Sequence, residues 1–247
     1  MRTFQVLATL ALGSAAALAS AQTQQPKSAS QAIDEYRAML ADGNPADLFE
    51  AKGEALWTQK RGPKNASLEA CDLGKGPGVV KGAFVELPRY FADVGKVQDL
   101  ETRLVSCMER LQGFNAAEIG KTPFGRGEMA NVTALATYIA AESKGMAFAL
   151  PQNHAQERSF YEAGKRIRLQ DLPNLTKNPG DGVGFAAWPA YRVSNGQMWS
   201  MQLRLNDCYR QQRFPYPEFG SDALTALSTY LGVNAKGAKS AAPAIKR

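Results

Sequence analysis

The sequence predicts an all-α fold made of two tandem copies of a small helical module with long irregular loops. Three observations carry this. An ungapped internal repeat at an offset of 101 residues aligns Leu87–Cys107 with Trp188–Cys208. Matched helical patterns follow each copy. Runs that alternate apolar and polar residues, as half-buried strands do, are few. Within the repeat, Pro88, Tyr90, Gly95, Arg103, Leu104 and Cys107 coincide with Pro189, Tyr191, Gly196, Arg204, Leu205 and Cys208.

The elements follow in chain order. Residues 1–21 read as a secretory signal peptide, with Arg2 as the charged start, an apolar run from Val6 to Leu18 and the small-residue cleavage site Ala19-Ser20-Ala21. Export to the periplasm follows for the mature chain. Residues 22–30 are polar and uniform, as a flexible tether is. The first module spans 31–145. Its opening helix runs from Ala46 to Trp57, with Asn44 as cap and Pro45 at the first helical position. A long loop, a middle helix ending at Cys107 and a closing helix follow, the last with Val132, Leu135 and Ile139 on one face. The second module spans 150–247, joined to the first near residues 143–155. Its opening helix covers Gln156 to Gly164, its middle helix ends at Cys208, and Leu224, Leu227 and Leu231 line its closing helix.

The copies differ in one loop. Gly53 and Pro88 are 35 residues apart, whereas Gly164 and Pro189 are 25 apart. The second opening helix therefore leads almost directly into the string Lys165–Leu169.

Composition narrows the function classes. The formal charge of +6 is spread along the chain. It suits an anionic substrate or an acidic partner, or simply a solvated surface. No basic-aromatic cluster points to nucleic acid. After the leader no stretch approaches the 18 apolar residues of a membrane span. Three cysteines, Cys71, Cys107 and Cys208, are an odd number for an oxidising compartment, which suggests one disulfide and one special thiol. The single histidine, His154, excludes multi-histidine metal sites and reads as a surface loop residue. The absence of C-x-x-C weighs against a thiol–disulfide exchange protein.

Cys208 reads in two ways. Met201, Leu205 and Cys208 recur at helical spacing, as a core cysteine closing a buried stripe would. Arg204 lies one turn earlier, so a nucleophilic thiol and an oxyanion-gripping guanidinium would share one face.

Longer strings carry a resemblance. Among them are Ala41–Pro45, Lys60–Glu69, Cys71–Gly78, Leu87–Asp93, Lys165–Leu175, Trp188–Ser194 and Cys208–Pro215. Together they resemble the SoxA family of thiosulfate-oxidising cytochromes c over nearly the whole mature chain. The resemblance implies two cytochrome c-like modules and an L-cysteine S-thiosulfotransferase subunit. Such a subunit pairs with SoxX and couples thiosulfate to a cysteine of the carrier SoxYZ, with electrons leaving through haem c. It further implies that Cys208 is the persulfide-bearing nucleophile and an axial ligand of the haem iron, and that Arg204 binds substrate. In single-haem members the positions of Cys71 and Cys107 form a disulfide, a cross-link of about 2–4 kcal/mol for such a loop. The C-terminal Ile245-Lys246-Arg247 matches a short basic family tail, placed at the substrate entrance or frayed.

One departure matters. Covalent haem c attachment requires C-x-x-C-H, and this chain has none. The family carries that motif between the opening helix and the Lys165–Leu175 string, where this chain is short. Three accounts stand open: a lost segment with an inactive product, a haem-free relative that only binds SoxX or SoxYZ, or an enzyme with another electron acceptor.

Overall fold

The computed structural model describes residues 43–170 and 184–246, together with residues 28, 31 and 38. The expected signal peptide, most of the tether, the Asp171–Leu175 part of the resembling string and Arg247 lie outside the described residues.

The first half opens with α1 (Ala46–Thr58). Asn44 Oδ1 accepts from the Ala46 N–H at 2.9 Å, and Pro45 at φ −57° is already helical, so the expected cap and first turn form as the sequence indicates. The hairpin β1 (Arg89–Phe91) and β2 (Lys96–Gln98) leads into α2 (Leu100–Cys107), which continues as one π-helical turn over Met108–Gln112. The short α3 (Ala116–Lys121) and the long α4 (Gly127–Ala141) close this half. The second half repeats the order: α5 (Ala155–Gln170), β3 (Ala190–Arg192), β4 (Gln197–Trp199), α6 (Met201–Gln211), α7 (Asp222–Asn234) and β5 (Ala244–Lys246).

Helix pairing is the same in both halves, and one glycine makes each pairing possible. α1 crosses α4 with Gly53 against the Ala134 carbonyl, and α5 crosses α7 with Gly164 against the Ala226 carbonyl. A Cβ at these glycines would stand 2.1 and 2.0 Å from those oxygens, so only hydrogen fits. The hairpins match as well. Gly95 and Gly196 take φ of +64° and +63° at the two turns, a region that glycine enters without a Cβ penalty. Asp99 and Ser200, again 101 residues apart, cap α2 and α6 by accepting from the Thr102 and Leu203 N–H groups.

Four expectations need correction. The fold is mainly helical but not all-α, because two hairpins and a fifth strand are present. Strands of three residues are too short to show an alternating pattern. The second opening helix runs from Ala155 to Gln170 rather than stopping at Gly164. Lys165, Arg166, Ile167 and Arg168 are all compatible with helix, and nothing there breaks it. The middle helix α6 passes Cys208 by three residues. The C-terminal tail neither frays nor stands free: β5 pairs parallel with β3, Tyr191 facing Ile245.

One continuous core runs through both halves. Phe84, Phe148 and Phe185 meet in it, with Phe84 and Phe148 edge to face at 5.4 Å. Polar ties cross the same boundary. The buried Glu157 accepts from the Tyr90 and His154 N–H groups at 2.9 Å each, joining α5 to β1. His154 is therefore half-buried and stacked on Tyr90, with ring centroids 3.6 Å apart, rather than a free loop residue.

Candidate functional site

The site is built on α6. The helix buries Met201, Leu205, Cys208 and Tyr209 against the core and turns Arg204 toward its edge. Cys208 is 7% exposed and is the one free cysteine, because Cys71 and Cys107 are joined in a disulfide across 36 residues. Burial pushes the Cys208 thiol above its ordinary pKa, Arg204 pulls it down, and the neighbouring Asp207 pushes it up again. The resting group at neutral pH is the thiol.

Arg204 sits over the Trp188 ring at 5.9 Å and keeps a side-chain exposure of 26%. Its Nη1 donates to Asp207 Oδ2 at 3.1 Å. Trp188 lies 6.5 Å from Trp199, and Arg192 stacks on Trp199 at 4.8 Å. The Arg192 Nε is buried with no partner among the described residues. Two guanidinium groups and two indoles thus form one tier beside the cysteine helix. Such a tier suits a small oxyanion, since cations over ring faces stay ordered while their edges still donate.

The sequence singled out Cys208 and Arg204, and the structure places both on one helix, one turn apart. It puts Cys71 and Cys107 elsewhere, beside Arg103, Asp93 and Arg110 in the first half. Sequence reasoning missed Trp188, Trp199, Arg192 and Asp207 as neighbours. Asp207 carried a usable signal in its three-residue spacing from Arg204 and from Arg210. The aromatic tier carried none, because it is assembled from a loop, a hairpin and a helix.

Haem can be tested against these residues. Two of the three thiols are consumed in the disulfide, and the third is buried singly in the core. The histidine lies flat on Tyr90, and its Nδ1 accepts from the Gln156 N–H. Among the described residues no group of three or more His, Cys, Asp or Glu side chains is placed to hold a metal ion. Two thiols and a histidine are what covalent haem c needs. The residues present do not fit it.

The two halves repeat the order of their main elements, and the second middle helix, α6, carries the free cysteine. Residues 52–148 match the family described as SoxA/TsdA, cytochrome c domain. The chain is 49% identical over 240 residues to the L-cysteine S-thiosulfotransferase subunit SoxA of Hydrogenophilus thermoluteolus, covering 88% of each chain. It is 30% identical over 227 residues to the subunit of the same name from Hydrogenobacter thermophilus, covering 82% of each. In fold it is similar to the crystal structure of SoxXA from P. pantotrophus, with a TM-score of 0.71 and 21% identity, over 87% of this chain and 84% of that one. The chain belongs to the SoxA family. Membership implies haem c, and the sequence of this chain contains no C-x-x-C-H.

Proposed function

We propose that this chain is an exported SoxA-type subunit of two cytochrome c-like modules, working in the periplasm with SoxX as partner. Its Cys208 and Arg204 act in coupling thiosulfate to a cysteine of the carrier SoxYZ. The observation that carries this reading is a single free thiol and a partly exposed arginine one turn apart on α6. Arg204 would hold the sulfonate oxygens in fork geometry, and Cys208, as thiolate or persulfide, would meet the outer sulfur. Joining a thiolate to the outer sulfur of thiosulfate forms one sulfur–sulfur bond and releases two electrons. Neither Cys208 nor Arg204 can take them up, so the coupling step needs a two-electron acceptor besides these two side chains. Among the described residues no helix is long and apolar enough to cross a membrane.

The thiol inventory favours a second reading. With no pair of free cysteines, a haem-free subunit that only docks SoxX or SoxYZ is the alternative. A pyridine haemochrome assay with intact mass, on protein exported from a cytochrome c-maturing host, separates the two. One haem per chain supports the coupling enzyme. A bare mature mass that still binds SoxX supports the docking subunit. For the coupling reading, Cys208→Ala should abolish turnover, and wild-type turnover by that variant would sink it.

A further inference from the structure

We propose that Asp207 is the positioning residue of this site, fixing Arg204 beside Cys208 for an incoming sulfonate. The inference rests on the reading of Arg204 as the sulfonate clamp. The Asp207 side chain is 5% exposed, and its two oxygens accept four hydrogen bonds, all from its own helix. Oδ2 takes Arg204 Nη1 at 3.1 Å and Gln211 Nε2 at 2.6 Å. Oδ1 takes Arg210 Nε at 2.9 Å and Nη2 at 2.6 Å. The carboxylate precedes Cys208 directly in sequence and gathers two guanidinium groups around it.

The first half shows what this arrangement replaces. The repeat counterpart of Asp207 is Ser106, and the carboxylate that meets Arg103 is Asp93 on the hairpin turn, where the second half has Ser194. Arg103 is held by Nε to the Asp72 carbonyl and by Nη1 to both Asp93 oxygens, with its side chain 4% exposed. Such an arginine is locked into structure. Among the described residues Arg204 is held through one nitrogen only, at the edge of the core. A guanidinium has five N–H donors, so donors remain for an oxyanion after the Asp207 bond is made. Tethering also matters energetically, because a free arginine loses rotamer freedom when it is ordered. Asp207 orders it in advance.

The test uses the full mature chain and its one free thiol. Methanethiosulfonate reagents react with a thiolate at the sulfenyl sulfur, forming a mixed disulfide and releasing methanesulfinate. The rate with the sulfonatoethyl reagent is divided by that with the trimethylammonium-ethyl reagent, both followed by intact mass. Arg204→Ala should lower this ratio about tenfold, the size of one charge-assisted hydrogen bond. Asp207→Asn should also lower it, by about threefold or more, although it makes the site more positive. Asp207→Glu should restore it. In the Arg204→Ala background Asp207→Asn should instead raise the ratio, since only its charge then counts. A rise in both backgrounds overturns the positioning role and leaves the sulfonate clamp intact. No effect of Arg204→Ala removes the clamp reading and this inference with it. Circular dichroism monitors folding, and Asp207→Ser, the residue the first half uses, serves if the asparagine variant does not fold.

Discussion

The two halves carry the same arginine–cysteine pair on matching helices and hold it in opposite ways. In the first half Cys107 is tied to Cys71, and Arg103 is tied to the backbone of the next residue, Asp72. The loop between α1 and β1 returns to the helix and consumes both groups. Asp93 completes this: burial works against its ionisation, but Arg103 and Arg110 outweigh that and hold its carboxyl below the ordinary value. In the second half Cys208 has no cysteine to join, Arg204 is six times as exposed as Arg103, and the nearest carboxylate is on the helix itself. A repeated scaffold thus fixes where the two side chains stand, and the loop laid across them decides whether they are consumed in bonds or left available.

The largest expected effect tests the shared scaffold. Gly53→Ala and Gly164→Ala each drive a Cβ into a backbone oxygen of the partner helix, and each should cost roughly 4 kcal/mol or prevent folding. Chemical denaturation would show it, and a mild loss at Gly164 alone would mean the halves are not packed alike. Next come the cysteines. Cys71→Ser with Cys107→Ser should cost about 3 kcal/mol through the lost cross-link, against about 1 kcal/mol for Cys208→Ser. Equal losses would make Cys208 a core cysteine and erase the contrast. The arginines follow. Arg103→Ala should cost about 2 kcal/mol, because it strips a buried partner from Asp93 and from the Asp72 carbonyl. Arg204→Ala should cost under about 1 kcal/mol and act on sulfonate reactivity instead.

The repeat, the helices and the pair on α6 were legible because each depends on local spacing. Val132, Leu135 and Ile139, or Leu224, Leu227 and Leu231, show a buried helical face in the sequence itself. The glycine crossings were visible only as landmarks, since nothing local says that Gly53 meets the Ala134 carbonyl. Three-residue strands such as Ala190–Arg192 are shorter than any period they could display. The Trp188–Trp199 tier and the Glu157 tie to Tyr90 join residues far apart in the chain, and only packing brings them together. His154 is the loop residue the sequence indicated, but its stacking on Tyr90 was not legible because Tyr90 belongs to the other half.

A last test, read as a slope of stability against pH, lies where the two halves touch, and it turns on a repeat pair that differs in charge. The first turn of α2 carries Asp99 and Glu101, and the matching positions on α6 carry the neutral Ser200 and Gln202. The two turns meet: Gln202 Nε2 donates to Asp99 Oδ2 at 2.7 Å, and the Gln202 N–H donates to Glu101 Oε1 at 3.1 Å. Burial raises the pKa of both acids, and the Asp99 charge adds to the rise at Glu101, which reaches about 7. In the unfolded chain Glu101 releases its proton near 4.5. Between those values the folded protein holds a proton that the unfolded chain has lost, so stability is full below about 4.5 and falls as pH rises toward about 7. The loss should be on the order of 3 kcal/mol. Glu101→Gln keeps a carbonyl to accept from the Gln202 N–H and carries no charge, so it should flatten this slope and be the more stable protein at alkaline pH. Denaturant midpoints measured across this range for both proteins decide it. Parallel profiles would mean that Glu101 is ionised in the fold.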